Sequence, residues 1–512
     1  MSFLAIDLGS SRCKAVAFSE RGETIARAVA EYRPEFPRPA FAEIDPEEFW
    51  NAVCRCSQAV ASQSQVDPVR GICLSSHGET FVPVDSHGAC AGRAILNIDF
   101  RAAGEARRMA HALGRRQIFG TTGLIVHPMY PAPKILWLRE HQPDIFKAAV
   151  RFATPTDWIL MRLGLPPYID YSLASRFLAF DVRKKRWSEE ILDFLDLPAD
   201  CLPVAVPAGT IAGGVDARFA GELGLAPGTR VIVGGHDQPV AALGVGAISP
   251  GRVSDSIGTY ECILVASDQP SLGDAAFSAC LNSYCHVVPG QFVTLAFFPS
   301  GIMTKWFHDL LFFSGPNGSQ REDADSVEHY SELESECPPG PTGLCITPHL
   351  IGTCNPDFNP RARGAIVGLH TGSSRSEIYK GILEGLACEL TQLAECLAAS
   401  CGEFHDIYAT GGGSRSRLGL RLRASLSGCR IHLMQSQEAV CLGGAILTGV
   451  ALGVWANISE AVQQVVREKD VIQPDPDVKA AYTEQSRKYR LLYSALAPIR
   501  NAGLERFGEE NL

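Results

Sequence analysis

The alternation of apolar and polar residues at the start of the chain predicts an antiparallel meander of three strands. Apolar runs at residues 3–8 and 13–18 flank a Gly-Ser-Ser turn. A second turn at residues 20–22 leads into a third strand over residues 23–31. A buried strand over residues 69–74 follows, and it ends in a cluster of polar side chains. Because α/β proteins place their ligand sites at strand ends, this cluster is the first candidate site.

Helical patterns separate these strands. A helix over residues 46–65 is predicted because Asp45 is a good N-cap and Pro46 suits the first helical position. Further helices are predicted over residues 102–113, 134–141 and 156–163, and residues 164–187 are expected to be irregular.

The strand–turn–strand pattern restarts in the second half of the chain. Residues 252–256 and 260–266 are apolar runs around an Ile-Gly-Thr turn. The rest of this half is predicted to contain one strand (407–410) and helices over 374–402, 416–426, 438–452 and 477–496. Since the two halves begin alike, the sequence predicts a duplicated α/β core with a cleft between the two copies.

One segment differs from the rest. Residues 314–341 are rich in Ser, Gly and Pro, with a run of acidic residues between 322 and 336. A mobile surface excursion and a short acidic helix are the two interpretations, and no function for it follows from the sequence.

Composition is typical of an ordinary globular protein with more than one domain. The 512 residues exceed what a single core organises, and 46% of them are hydrophobic and 20% charged. The formal net charge of −10 argues against nucleic-acid binding, which requires a basic surface. An anionic substrate remains compatible with this charge, because a local cationic site can exist on an acidic protein.

The sequence also predicts a cytoplasmic protein that does not contact a membrane. The first residues lack the basic segment and cleavage site of a signal peptide, and no apolar run reaches the ~18 residues of a membrane span. The seventeen cysteines are scattered, and no Cys-x-x-Cys spacing occurs. Structural thiols in a reducing compartment are therefore expected, rather than disulfides or a zinc site.

The candidate chemistry centres on residues 234–238, Gly-Gly-His-Asp-Gln. They follow an apolar run, which predicts a strand, a tight Gly turn and the start of a helix. Asp237 then falls near a helix N-terminus, where an ionised carboxylate is favoured. A carboxylate that accepts a proton, together with Gly/Ser/Thr turns at residues 7–11 and 255–259 that hold phosphate, outlines a phosphotransferase.

In their order and spacing, these stretches resemble the FGGY carbohydrate kinases. The matching motifs are the first phosphate motif (residues 7–11 with Lys14), the catalytic-aspartate segment (234–238), the second phosphate motif (255–259), the linker into the C-terminal domain (347–352 and 362–364) and the adenosine motif (409–414). Each motif alone is weak, but their shared order is specific to the family.

The resemblance implies an α/β fold of the actin-like, hexokinase-like (ribonuclease H-like) ATPase type. Two domains, each built around a five-stranded sheet, would close on ATP and substrate. We expect an N-terminal domain over residues 1–246, with the sugar site, the catalytic base and the first phosphate loop. A C-terminal domain over 247–456 would hold the second phosphate loop and the adenosine site, and a helical extension over 457–512 would pack on it.

The resemblance also assigns roles. Asp237 would take the proton from the substrate hydroxyl, although the same residue could simply cap its helix. Asp7 would hold Mg²⁺ through water, although turn amides could equally satisfy it. The expected ATP-binding residues are Gly9, Ser10, Ser11, Lys14, Gly258, Thr259, Gly411, Gly412 and Ser414.

Substrate choice is expected to depend on polar residues at the strand ends. The residues that would bond sugar hydroxyls are His77, Glu79, Asp99, Arg101, Asp237 and Gln238. His77 is equally compatible with a structural role, Asp99 and Arg101 with a surface ion pair, and Gln238 with a helix cap. The segment Ser-Ser-His-Gly-Glu-Thr at 75–80 matches neither the Gln-Met-His-Gly pattern of xylulokinases nor the Asn-Gln-Arg-Glu-Thr pattern of glycerol kinases, so the substrate stays open.

The leading prediction is an ATP- and Mg²⁺-dependent kinase of a small sugar, ketose or polyol, with a homodimer as the assembly that the resemblance suggests. One alternative is a non-catalytic actin-fold protein that binds nucleotide or sugar. Another is an ATPase of the same superfold that acts on a protein. The intact Asp7 and Asp237 argue against the first alternative, and the polar residues at the strand ends argue against the second.

Overall fold

The computed structural model describes residues 2–64, 67–312 and 323–498. The strands are, in chain order, β1 (Ser2–Leu8), β2 (Arg12–Ser19), β3 (Thr24–Glu31), β4 (Glu43–Ile44), β5 (Val69–Ser76), β6 (Val82–Val84), β7 (Ala94–Ile95), β8 (Arg151–Ala153), β9 (Tyr168–Asp170), β10 (Phe180–Asp181), β11 (Arg186–Trp187), β12 (Val204–Val206), β13 (Ile211–Gly214), β14 (Arg230–His236), β15 (Val253–Ile257), β16 (Tyr260–Ser267), β17 (Asn282–Cys285), β18 (Phe292–Pro299), β19 (Cys345–Thr347), β20 (Ala365–Val367), β21 (Asp406–Thr410), β22 (Arg430–Met434) and β23 (Glu468–Ile472).

The helices are, in the same order, α1 (Pro46–Gln63), α2 (Ala103–Leu113), α3 (Arg115–Thr122), α4 (Pro131–His141), α5 (Pro143–Ala148), α6 (Pro155–Arg162), α7 (Tyr171–Ser175), α8 (Glu189–Leu195), α9 (Ala217–Leu223), α10 (Asp237–Gly244), α11 (Asp274–Ser278), α12 (Gly301–Phe312), α13 (Asp323–Ser335), α14 (Arg375–Cys401), α15 (Arg417–Ser427), α16 (Ala439–Ala451), α17 (Ile458–Val465), α18 (Pro476–Ala481) and α19 (Thr483–Ala495).

Two large mixed sheets share the order of six strands, and the second sheet has β17 as an additional edge strand. The first sheet runs β13-β14-β5-β1-β2-β3, and the second runs β17-β18-β16-β15-β21-β22-β23. In each sheet the first strand, β1 or β15, is antiparallel to the next strand on one side and parallel to a later strand on the other. The predicted duplicated core and the predicted fold class are therefore confirmed.

Helices α10 and α16 cross where the two halves of the molecule meet. A Cβ added to Gly244 would lie 1.9 Å from the carbonyl oxygen of Ala439, and one added to Gly443 would lie 2.0 Å from that of Val240. Glycine is required at both positions because the two backbones nearly touch. α16 also packs on β1 and β5, so a helix from the second half covers the first sheet.

Four sequence-based expectations need correction. The two large sheets contain six and seven strands, rather than the five expected in each. Residues 164–187 were expected to be irregular but contain three short strands and the helix α7, which Asp170 caps through its carboxylate. The single helix expected over 477–496 is divided into α18 and α19 at Tyr482. The extension after residue 456 is not purely helical, because β23 joins the edge of the second sheet.

Part of the acidic segment is helical. α13 spans Asp323–Ser335, which agrees with the interpretation as a short acidic helix. Residues 314–322 of this segment lie outside the described residues.

All seventeen cysteines carry free thiols. In the parts of the chain that the structure describes, no helix combines the length and the apolarity needed to cross a membrane.

Candidate active site

Strand β14 and helix α10 place Asp237 at the centre of the site. The strand ends at His236, and Asp237 is the first residue of the helix, as predicted. A Cβ on Gly234 would lie 2.2 Å from the carbonyl oxygen of Leu74, and one on Gly235 would lie 2.6 Å from Val287. The two glycines thus allow the end of β14 to lie in close contact with Leu74 and Val287, and this close packing fixes the position of the Asp237 carboxylate.

The surroundings of Asp237 favour a basic carboxylate. Its side chain is 21% exposed, and Oδ1 lies 3.2 Å from Nε2 of His236. Desolvation raises the pKa of the Asp237 carboxyl well above its usual value, and the negative charges of Asp7 and Glu79 add to this effect. Such a carboxylate is a stronger base than an exposed aspartate, as proton abstraction from a hydroxyl requires.

Asp7 lies near the end of β1, the central strand of the first sheet. It pairs in register with Ser75 of β5 and with Lys14 of β2. Burial raises the pKa of the Asp7 carboxyl to about 6, and the charge of Lys14 opposes this increase. Its Oδ1 is buried without a hydrogen-bond partner among the described residues, so the alternative of an aspartate fully satisfied by turn amides does not account for this atom. An oxygen left in this state suits a hydrated cation.

The two predicted phosphate turns are hairpins at equivalent positions of the two sheets. The N–H of Gly9 donates to Arg12 O at 2.9 Å, and the N–H of Gly258 donates to Tyr260 O at 3.0 Å. These two glycines therefore shape their turns and use their own amides to do so. Thr259 and Ser11 are exposed at the turn tips.

Lys14 makes an ion pair that joins the two halves of the molecule. Its Nζ lies 2.6 Å from Oε2 of Glu438, the N-cap residue of α16. The ammonium group is thus held beside the first phosphate turn by a residue of the second half.

The predicted adenosine turn follows β21. Gly411 has φ +89°, and a Cβ there would lie 2.6 Å from the carbonyl oxygen of Ile257, so only glycine fits. A Cβ at Gly412 would meet nothing within 4 Å, which leaves room for a ligand beside it. Ser414 donates its hydroxyl to Gly411 O at 2.7 Å and therefore stabilises the turn itself.

Glu79 is held by a cation that the sequence analysis missed. Nε of Arg176 donates to Oε1 of Glu79 at 2.5 Å, and both side chains are buried. The Arg176 guanidinium lies over the ring of Tyr284 at 4.8 Å. The Glu79 backbone has φ +66°, a strained value for a residue with a side chain, which the ion pair helps to maintain.

Asp99 and Arg101 pair with each other, as the alternative interpretation held, but inside the protein rather than on its surface. Nη2 of Arg101 lies 2.7 Å from Oδ2 of Asp99 and 2.7 Å from Oε1 of Glu43, and both members of the predicted pair are buried. Asp99 also accepts a hydrogen bond from the N–H of Ala42. Within the described chain, Nη1 of Arg101 is buried without a hydrogen-bond partner.

Both ring nitrogens of His77 have protein partners. Nδ1 lies 2.8 Å from Leu8 O, and Nε2 lies 2.7 Å from the hydroxyl of Thr80. Burial lowers the pKa of the His77 imidazole. These contacts favour the structural role that the sequence analysis left open for His77.

A second missed residue is Lys134, which is fully buried beneath the site. Its Nζ donates to Leu96 O at 2.6 Å and to Glu79 O at 3.2 Å. Burial lowers the pKa of its ammonium group to about 7, and the carboxylates of Asp99 and Glu79 oppose this decrease. Lys134 therefore supports the loop that carries Glu79.

Gln238 follows Asp237 as the second residue of α10. Its predicted side-chain contact with substrate stays a prediction. Two of the residues that the sequence analysis missed had a signal in the sequence. His236 is adjacent to the predicted base, and Arg176 follows the Asp-x-Ser segment that begins α7. Tyr284 offered no signal, because it reaches the site from a distant strand.

The two sheets have corresponding strand orders, and each has a carboxylate and a tight turn near the end of its first strand. This arrangement is typical of a two-domain phosphotransferase of the actin-like ATPase fold. Comparisons with known proteins agree. Models of the N-terminal and C-terminal domains of the FGGY family of carbohydrate kinases match residues 2–244 and 254–452. The chain belongs to the FGGY family of carbohydrate kinases.

Similar proteins span nearly the whole chain. A xylulose kinase of Bacillus subtilis is 25% identical and covers 98% of both chains. A gluconokinase of the same species is 28% identical over 88% of this chain and 87% of its own. The crystal structure of a gluconate kinase from Lactobacillus acidophilus superposes with a TM-score of 0.86 at 24% identity, covering 97% of this chain and 98% of its own, and supports the fold. The protein is an ATP-dependent carbohydrate kinase, and the non-catalytic alternative is not favoured.

Proposed function

We propose that this kinase transfers the γ-phosphate of ATP to a hydroxyl of a neutral polyol or ketose, with Asp237 as the general base. The observation that carries the proposal is the position of Asp237 at the start of α10, partly desolvated and close to the charges of Asp7 and Glu79. A carboxylate there is placed to accept a proton while charge develops on the transferred phosphoryl group.

The reaction is an in-line displacement. The acceptor oxygen forms a bond to the γ-phosphorus as its proton passes to the Asp237 carboxylate, and the bond between γ-phosphorus and the bridging oxygen of ADP breaks. Asp237 then loses its proton to solvent, which completes the cycle.

Mg²⁺ fits the site through Asp7. Its unpartnered Oδ1 would hold the ion by way of a bound water, since Mg²⁺ keeps much of its hydration shell. The ion would supply neutralisation of phosphate charge. Lys14, beside the same turn, would contribute a second positive charge.

The charge balance of the sugar site favours a neutral acceptor. Each buried guanidinium already faces a carboxylate, Arg176 with Glu79 and Arg101 with Asp99. Among the buried polar atoms of the described chain that have no partner are both donors and acceptors from these pairs and from the strand-end segments 75–80 and 97–101: Nη1 of Arg101, Nη1 of Arg176, Oγ of Ser76 and Oδ1 of Asn97. Such a mixture suits hydroxyl groups, which both donate and accept, better than a carboxylate, which only accepts.

Several further expectations stay predictions. They are the division into residues 1–246, 247–456 and 457–512, a cytoplasmic location, the absence of a nucleic-acid partner, and a homodimer. Size-exclusion chromatography with light scattering would settle the last of these.

The experiment that tests the proposal is a panel of acceptors assayed with Mg-ATP by ADP release. The panel contains neutral compounds (glycerol, erythritol, ribitol, xylulose and fructose) and the acid gluconate. We expect at least one neutral compound to exceed gluconate in kcat/KM by tenfold or more. A preference for gluconate would contradict the neutral-acceptor assignment, and no acceptor-dependent release from the whole panel would contradict the proposed substrate class.

A further inference from the structure

His236 contacts both the proposed base and a tyrosine of the other sheet. Its Nε2 lies 3.2 Å from Oδ1 of Asp237, and its Nδ1 lies 3.0 Å from the hydroxyl of Tyr284. His236 ends β14 of the first sheet, whereas Tyr284 lies on β17 of the second. The three side chains therefore form a line from the second sheet to the carboxylate.

The chemistry of the three groups fixes where the protons lie. If Nδ1 carried the ring proton, the lone pair of Nε2 would face the oxygen of a carboxylate, which is unfavourable. With the proton on Nε2, the ring presents N–H toward Asp237 and accepts at Nδ1 from the Tyr284 hydroxyl. Burial lowers the pKa of the His236 imidazole well below its usual value, which keeps the ring neutral and this arrangement intact.

The surrounding backbone is built to accept the ring in this place. A Cβ on Gly78 would lie 3.0 Å from Cγ of Arg176 and 3.2 Å from both Cδ2 and Nε2 of the imidazole, so glycine leaves the room that the ring occupies. The N–H of His236 donates to the hydroxyl of Ser172 at 2.9 Å, and Ser172 is held in turn by Asp170. The ring is thus fixed from its own backbone, from Gly78 and from Tyr284.

We propose that His236 is a positioning residue that orients the Asp237 carboxylate toward the acceptor, and that Tyr284 holds His236 from the second sheet. The inference rests on the proposed role of Asp237 as the base. If this inference holds, the orientation of the Asp237 carboxylate, which belongs to the first sheet, depends on the position of the second sheet. Proton transfer would then be efficient only when the two halves of the molecule are correctly apposed.

The test compares three substitutions of His236 in the full-length enzyme. The assay uses saturating Mg-ATP and the fastest acceptor of the panel above. His236→Ala removes the contact with Asp237, and we expect kcat to fall about ten- to a hundredfold, as for other misplaced catalytic groups, while KM for the acceptor changes less than threefold.

The other two substitutions separate the two ends of the ring. His236→Gln places an amide N–H near the position of Nε2 and should restore most of kcat. His236→Asn reaches only as far as Nδ1, toward Tyr284, and should remain as impaired as the alanine variant. Equal activity of the glutamine and asparagine variants would overturn the role assigned to Nε2.

Tyr284 is tested against a matched tyrosine. Tyr284→Phe removes only the hydroxyl and should lower kcat several-fold. Tyr489→Phe is the control, because Tyr489 is also buried and its hydroxyl also donates a hydrogen bond to a protein group, Oε1 of Glu389 at 2.7 Å, but between helices α19 and α14. Equal losses of kcat in the two phenylalanine variants would overturn the role of Tyr284.

A double variant tests whether the two residues act in series. Tyr284→Phe should add no further loss in the His236→Ala background, because the link is already broken there. Multiplied effects would overturn the series.

Failure of this inference can be distinguished from failure of the proposed function. Unchanged kcat in His236→Ala, with turnover abolished in Asp237→Asn, would reject the positioning role and leave the base in place. Full turnover in Asp237→Asn would reject both.

Discussion

At the scale of single residues, this enzyme holds several carboxylates where water does not reach them. Asp255, the first residue of the predicted second phosphate motif, is the clearest case. Its side chain is completely buried on β15, and neither carboxylate oxygen has a hydrogen-bond partner in the described chain. The neighbouring Arg423 is taken up by Glu261, with N···O distances of 2.9 and 2.6 Å. Asp255 is therefore a buried acid without a counter-ion of its own.

This arrangement predicts how stability depends on pH. Burial and the charge of Glu261 raise the pKa of the Asp255 carboxyl well above its usual value, whereas Arg423 opposes the increase. The folded state then keeps the proton to a higher pH than the unfolded state, so this residue's contribution to stability is lost as pH rises. Asp255→Asn has no proton to lose at this position. Between the pKa of Asp255 in the unfolded state and its pKa in the folded state, the free energy of unfolding of the variant should therefore rise relative to that of wild type by up to about 1.4 kcal/mol per pH unit.

Urea unfolding of both proteins at a series of pH values measures the difference. Asp274→Asn is the control, since the Asp274 side chain is 92% exposed. Parallel pH curves for wild type and Asp255→Asn would contradict the prediction.

At the scale of elements, the sequence predicts most helices and strands, because apolar periodicity and cap residues are local signals. Ser374, for example, caps α14 as its position before the apolar face suggests, and its hydroxyl accepts from the N–H of Glu377. Residues 164–187 were missed because their strands are two or three residues long, too short for a periodic pattern. The break at Tyr482 was missed because it lies within a continuous helical pattern.

The crossing of α10 and α16 depends on glycine, and this can be tested. Gly443→Ala places a Cβ 2.0 Å from Val240 O, so the helices must separate, and overpacking of this kind costs about 1–3 kcal/mol. Gly221→Ala in α9 is the matched control, because a Cβ there meets nothing within 4 Å and helix propensity favours alanine by about 0.5–1 kcal/mol. Denaturant unfolding should show opposite signs for the two variants. A neutral or stabilising effect of Gly443→Ala would contradict the close crossing.

At the scale of the whole molecule, the fold and the position of the proposed base could be predicted, whereas the partners of the site residues could not. The restart of the strand–turn–strand pattern in the second half indicated a duplicated core, the order of five motifs indicated the family, and the Gly-Gly turn placed Asp237 at a helix start. Sequence does not show that Arg176 meets Glu79, since the two residues are far apart in the chain. The same is true of Tyr284 and His236, which meet only because the two sheets face each other.

The ion pair between Lys14 and Glu438 makes a prediction at this scale. Lys14→Met removes the positive charge beside the first phosphate turn and should raise KM for ATP about tenfold, because interactions of a cation with phosphate are charge-assisted. Arg27→Met is the control, since Arg27 lies 3.4 Å from the same Glu438 but is 57% exposed. Steady-state kinetics with varied ATP measures both variants. Equal effects of the two substitutions would contradict a specific role for Lys14 at the phosphate turn.

The central claim is that Asp237 is the base of the kinase reaction. The most direct measurement is single-turnover phosphoryl transfer from Mg-ATP in wild type and in Asp237→Asn, with ATP binding measured separately by titration. Asparagine keeps the size of the side chain but cannot take a proton, so the rate should fall by about 10²–10⁴ while ATP affinity stays within a few-fold of wild type. A single-turnover rate in Asp237→Asn equal to that of wild type would contradict the claim.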